Sequence, residues 1–160
     1  DTAGELYDRL MTTGAGMLLK TVDAVIAGDV KSVPQSEIST EGELRPAPKI
    51  FTETCKIDWD KSAAEIHNFI RGLAPHPTAW TEVEHQGTRY TMKIYGARLV
   101  DKQPAQAAGT FVVPENKKHL YIAAKGGYID ILELQLSGKK RMAANVFLNG
   151  FHSPEDLKLS

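Results

Sequence analysis

The chain has 160 residues, of which 42% are hydrophobic, 24% charged and 8% aromatic, with a formal net charge of −1. That composition excludes collagen-like, coiled-coil and wholly disordered chains, and the length suits one domain plus a piece of another. The lone cysteine, Cys55, permits no internal disulfide and fits a reducing, cytoplasmic setting, and no apolar run approaches the ~20 residues that span a bilayer.

The chain opens on Asp1 without a signal-like stretch, so it reads as part of something longer. Thr2 and Glu5 form a capping-box pattern ahead of Leu6, Leu10 and Met11. Gly14 and Gly16 then interrupt, and Met17, Leu18, Val22, Val25 and Ile26 make a second helical stripe that Gly28 stops. Two short helices are expected over 1–30, with too little surface to make a core alone. Over 31–49 the periodicity vanishes. Pro34, Pro46 and Pro48, with Ser32, Ser36, Ser39, Thr40 and Gly42, predict an extended linker.

The body, 50–160, begins with Thr54–Trp59 as a short strand carrying Cys55 half-buried. Asp60 or Ser62 can cap the helix that follows, and Ser62 with Glu65 repeats the capping-box pattern. Ala63, Ile66, Phe69, Ile70 and Leu73 share its buried face, and Gly72 is expected to end it before Pro75 and Pro77. From Ala79 to Leu136 the alternation favours strands. Ala79–Glu84 and Tyr90–Tyr95 are joined by Gln86-Gly87-Thr88. Phe111–Val113, Leu120–Ala124 and Tyr128–Leu136 are separated by Pro114–Lys117 and Lys125–Gly127. About six short strands predict a small open barrel, an α+β fold with one helix before it and a short helix, Ala143–Leu148, after it. Trp59 and Trp80 are assigned to its core.

Catalytic and metal-binding patterns are not evident. His67, His76, His85, His119 and His152 are scattered, and Cys55 has no second cysteine to share a zinc ion. The sequence contains no nucleophile elbow, phosphate loop or dinucleotide fingerprint, so neither catalytic, cofactor-binding nor metal residues are assigned. Charge is more informative. Residues 1–60 hold six basic against eleven acidic side chains, whereas 86–150 hold ten against four. A basic second half points to a polyanionic partner or to a solvated surface.

Three motifs are specific. Asp58-Trp59, Ile70-Arg71-Gly72-Leu73 and Pro75-His76-Pro77 with Ala79-Trp80 form one block. Leu134-Gln135 runs into Gly138-Lys139-Lys140-Arg141-Met142, and Phe147-Leu148-Asn149-Gly150 follows. Together they resemble the C-terminal half of the methionyl-tRNA formyltransferase family, and Asp1-Thr2-Ala3 is similar to a segment near the end of its catalytic domain. The resemblance covers essentially the whole chain. Departures are His76, Thr78 where glycine is common, and Gln106–Gly109.

The resemblance implies three parts: the terminal helices of a catalytic domain (1–30), a linker (31–49) and a C-terminal barrel of oligonucleotide-binding type (50–160). The family formylates initiator methionyl-tRNA with 10-formyltetrahydrofolate, using an Asn/His/Asp trio that no residue here matches. The fragment is therefore expected to be inactive alone, with its own N-terminal catalytic domain and tRNA as partners, no membrane, and a monomeric state. Barrels of this type track phosphates with basic strands and loops, which makes Lys139, Lys140, Arg141, Lys117, Lys118, Arg89, Lys93 and Lys125 the candidate RNA contacts. The same domain type also occurs in formyltetrahydrofolate dehydrogenases and sugar-nucleotide formyltransferases, where it is a spacer with no nucleic-acid role.

Overall fold

A computed structural model describes residues 1–38, 42–44 and 46–160, with Glu155 described by its backbone alone. Ser39 and Thr40 of the expected linker lie outside the described residues. The chain divides into two compact units, Glu5–Ile50 and a larger one made of Asp1–Gly4 with Phe51–Ser160.

The first helix, α1, runs unbroken over Ala3–Ala27. This corrects the expected helix pair. A mid-helix glycine costs only about 1 kcal/mol against alanine, so Gly14 and Gly16 do not stop it. Gly28 does: at φ +76 it closes the helix while Asp29 N–H reaches back to the Ala24 carbonyl and Gly28 N–H to that of Val25. Because α1 is continuous, it is long and apolar enough by length and composition to cross a membrane, which neither half of a broken pair would be. None of its residues is buried, and Leu10, Met17, Leu18 and Ile26 are exposed.

In the larger unit the segment expected to be a strand at Thr54–Trp59 is a 3-10 turn, Glu53–Cys55, followed by one bridge between Lys56 and Trp80. Ile57 N–H donates to the Trp80 carbonyl, and with a single such contact no ladder forms. Cys55 is fully buried rather than half-buried. Helix α2, Ala63–Leu73, begins at Ser62, whose hydroxyl accepts from Glu65 N–H while the Glu65 carboxylate accepts from Ser62 N–H. It passes through Gly72 and stops at Ala74, where Pro75 lacks the N–H a further turn needs. Ala63, Ile66, Ile70 and Leu73 are buried on one face, and each large aliphatic stabilises by about 1.5–3 kcal/mol.

Seven antiparallel strands follow: β1 (Ala79–His85), β2 (Thr88–Val100), β3 (Phe111–Val112), β4 (Leu120–Ala124), β5 (Gly127–Leu136), β6 (Met142–Ala143) and β7 (Lys158–Leu159). Helix α3, Ala144–Gly150, directly follows β6. The sheet order is β3-β4-β5-β2-β1-β7, with β6 added to β5. The two ends of this order come together: a Cβ built on Gly109, two residues before β3, would lie 2.8 Å from Leu159 Cδ1 on β7. The sheet is therefore a nearly closed barrel. Inward residues alternate along β2, at Met92 and Ile94, and within each half of β5, at Ile129 and Ile131 and at Leu134 and Leu136. The phase shifts between Ile131 and Leu134, where the β2–β5 register is irregular. With Ile122 of β4 they share one core with Ile66, Ile70 and Phe147. Trp59 and Trp80 are only partly buried against that core; their indole N–H groups donate to Thr81 Oγ1 and to the Thr52 carbonyl.

Candidate nucleic-acid interface

The outward faces of β4, β5 and β2 form one surface, because residues that alternate with the buried ones must point away from the core. Trp80 on β1, Lys93 on β2 and Gln135 on β5 stand side by side in register. Tyr95 Oη donates to Gln135 Oε1 at 2.9 Å, and Gln135 Nε2 donates to the Lys139 carbonyl at 3.0 Å. The Arg141 guanidinium lies over the Tyr95 ring, 4.2 Å from its centroid. Its Nε and Nη2 donate to the two carboxylate oxygens of Glu133 at 2.7 and 2.6 Å. Those bonds hold the Glu133 carboxyl below the ordinary carboxylate value and raise Arg141 further.

Lys93, Lys139 and Arg141 are thus brought together, and exposed Lys140 lies between the last two. Lys117 and Lys118 sit in the β3–β4 turn, where Lys117 adopts φ +49. Lys125 lies at the opposite end of β4, where its carbonyl accepts from Ala63 N–H at the start of α2. Arg89 lies in the β1–β2 hairpin with Nε 4.0 Å from Glu84 Oε2.

A second cluster on this surface carries none of the candidate signals read from the sequence except Lys118. Asp130 on β5 is 1% exposed. Its Oδ2 accepts from Arg98 Nη2 at 2.5 Å and from His119 Nδ1 at 3.0 Å. The His119 ring stacks on Tyr121, with centroids 5.3 Å apart. Tyr121 has its hydroxyl pKa raised, first by burial and then by the Asp130 charge. Asp130, Arg98, Lys118, His119 and Asn145 line a depression of about 500 Å³. Leu132, on its wall, directly precedes the Glu133 that holds Arg141. The signal present in the sequence is an acid set directly between two isoleucines, Ile129 and Ile131.

Basic side chains interleaved with Trp80, Tyr95 and Tyr121 on a barrel wall can take both phosphates and base faces. The profile of the formyl transferase C-terminal domain matches residues 49–152. A methionyl-tRNA formyltransferase of Bacteroides fragilis is 42% identical over 160 residues, covering 99% of this chain and 49% of the relative. Its counterpart in Porphyromonas gingivalis is 43% identical over 158 residues, covering 98% and 49%. That of Phocaeicola vulgatus is 45% identical over 161 residues, covering 99% and 49%. The chain therefore spans about half the length of these curated relatives. Among solved structures, a HypX variant from Aquifex aeolicus superposes with a TM-score of 0.57 at 16% identity, over 84% of this chain and 23% of that one, and shares the fold.

Proposed function

The chain belongs to the formyltransferase family through its C-terminal domain, and on that premise we propose that it is the tRNA-binding portion of a methionyl-tRNA formyltransferase. The observation that carries this reading is the interleaving of Lys93, Lys139, Arg141, Arg98 and His119 with tyrosines on one face of the barrel. The whole enzyme would formylate the amino group of initiator methionyl-tRNA, with 10-formyltetrahydrofolate as the donor substrate, in the cytoplasm. Formyl transfer belongs to the N-terminal catalytic domain, and the 160 residues alone transfer no formyl group.

Residues 1–30 then end that catalytic domain, 31–49 link it to the barrel, and 50–160 are the barrel. The exposed apolar residues of α1, Leu10, Met17, Leu18 and Ile26 among them, support this division, since they suit burial against an upstream domain. Phosphate contacts from the lysines position the tRNA without reading bases. The candidate contacts differ in standing: Lys139, Lys140, Lys117, Lys118, Lys93 and Lys125 are exposed, whereas Arg89 and Arg141 face carboxylates.

The test is binding of initiator methionyl-tRNA to this chain at a series of salt concentrations. Affinity should fall steeply as salt rises, because each phosphate contact releases counterions. Absence of binding at low salt would overturn the reading in favour of a spacer domain with no nucleic-acid role.

A further inference from the structure

We propose that the depression around Asp130 seats one backbone phosphate of RNA among Arg98, Lys118 and His119, and that His119 takes up a proton from solvent as the phosphate binds. This rests on the tRNA-binding reading and names a subsite within it. The basic side chains line the depression from two sides: Arg98 from β2, and Lys118 with His119 from the end of the β3–β4 turn. Among the lining residues two permanent cations stand against one carboxylate, so the depression attracts an anion. The Asp130 side chain is 1% exposed, whereas those of Arg98 and His119 are 57% and 35% exposed. An incoming anion therefore meets the cations and not the carboxylate.

Asp130 is the positioning residue. Its Oδ2 accepts from Arg98 Nη2 and His119 Nδ1, and Tyr121 stacks on the imidazole, so both are oriented before a ligand arrives. The bond to Asp130 takes one Arg98 nitrogen and leaves Nε and Nη1 as donors for a phosphate. With Nδ1–H given to the carboxylate, a further proton enters the ring at Nε2. The charged or titratable groups around the ring are Asp130 of β5, Arg98 of β2, Lys118 of the turn and Tyr121 of β4. Arg98 and Lys118 oppose that protonation, and a bound phosphate offsets them, so binding and protonation favour each other. A strand suits the site better than free phosphate, because Leu132 on the depression's wall leads directly to Glu133 and the Arg141 it holds.

The experiment measures binding of initiator methionyl-tRNA to this chain at several salt concentrations and at two pH values. From about pH 8 to about pH 5.5, across which imidazoles titrate, wild-type affinity should rise roughly two- to fivefold, the worth of one part-exposed ion pair. His119→Gln keeps a donor for Asp130 and should lose that rise. Arg98→Gln with Lys118→Ala, read at about pH 8, should flatten the log–log salt slope by roughly 0.7–0.9, the share of one phosphate held by both. If the Arg98→Gln chain does not fold, the pH comparison decides alone. Replacing chloride by inorganic phosphate at equal ionic strength should leave the pH rise in place; its loss would make this a site for free phosphate and overturn the proposal. A rise that persists in His119→Gln, a slope unchanged in the double variant, or one flattened by about twice that amount overturns the shared subsite and leaves tRNA binding standing. Failure of wild-type chain to bind tRNA at low salt overturns both.

Discussion

The Arg141 guanidinium lies over Tyr95, 4.2 Å from the ring centroid, while two of its nitrogens are taken by Glu133. The guanidinium is therefore a neutralised, oriented plane, unlike its neighbours Lys139 and Lys140, which are exposed ammonium groups. A plane of this kind suits stacking of an unpaired base. On the proposed interface the three consecutive charges should behave differently. Replacing Lys139 and Lys140 by alanine should flatten the log–log salt dependence of tRNA binding by about 0.7–0.9 for each phosphate that a lysine no longer neutralises. Arg141→Ala should weaken binding with the slope left in place. A slope that flattens as much for Arg141→Ala as for a single lysine would return Arg141 to the phosphate-binding set.

The same pair makes stability depend on pH. Arg141 lowers the Glu133 carboxyl pKa, first by hydrogen bonding and, after an opposing effect of burial, by its charge. Folding thus favours ionised Glu133. The contribution is full above the unfolded carboxylate value near 4.5 and is lost as pH falls through the lower folded value. Both side chains are part exposed, at 43% and 37%, so water screens the pair and its worth is no more than about 1 kcal/mol. Denaturation of wild type and Glu133→Gln should differ by that amount at neutral pH and converge in acid. A gap that persists undiminished at about pH 2 would mean the pair is not its source.

What was legible in the sequence is what neighbouring residues decide. Ser62 and Glu65 are three apart and their reciprocal bonds need nothing else, so the start of α2 could be read. The β1–β2 hairpin could be read because Gln86 and Gly87 both take positive φ, as its two-residue turn demands. The 54–59 segment failed because its backbone is committed by one distant bridge to Trp80. Of the candidate surface, the lysine runs were legible. The Arg98–Asp130–His119 cluster was not, because it depends on the register that sets Arg98 opposite Asp130 across a bulge at Gly96. Nothing in the spacing of residues 98, 119 and 130 announces that register.

Closure of the barrel can be tested at Gly109. It adopts φ +85, and a methyl group there would meet Leu159 Cδ1 at 2.8 Å. Its N–H donates to the Ala123 carbonyl, so the backbone is tied to the end of β4 and has little room to retreat. Gly109→Ala should cost about 1–3 kcal/mol, from backbone strain and steric overlap together. In a Leu159→Ala background the overlap disappears and the cost should be smaller. Equal costs in both backgrounds would show that the two ends of the sheet do not meet in solution.

Thr78 sets two effects against each other. It is 3% exposed, it adopts φ +83, and its hydroxyl donates to the Pro75 carbonyl at 2.5 Å. A β-branched residue in that backbone region is strained by about 1–3 kcal/mol. The hydroxyl bond, worth about 1 kcal/mol, returns part of this. Thr78→Ala loses the bond and keeps a Cβ at positive φ, so it should be destabilising. Thr78→Gly loses the same bond but sheds the strain. Glycine ordinarily trails alanine by about 0.5–1 kcal/mol through chain entropy, and here the strain relief exceeds that deficit. The glycine variant should therefore be the more stable of the two by about 1 kcal/mol in chemical denaturation. An alanine variant at least as stable as the glycine one would show that residue 78 does not hold positive φ in solution.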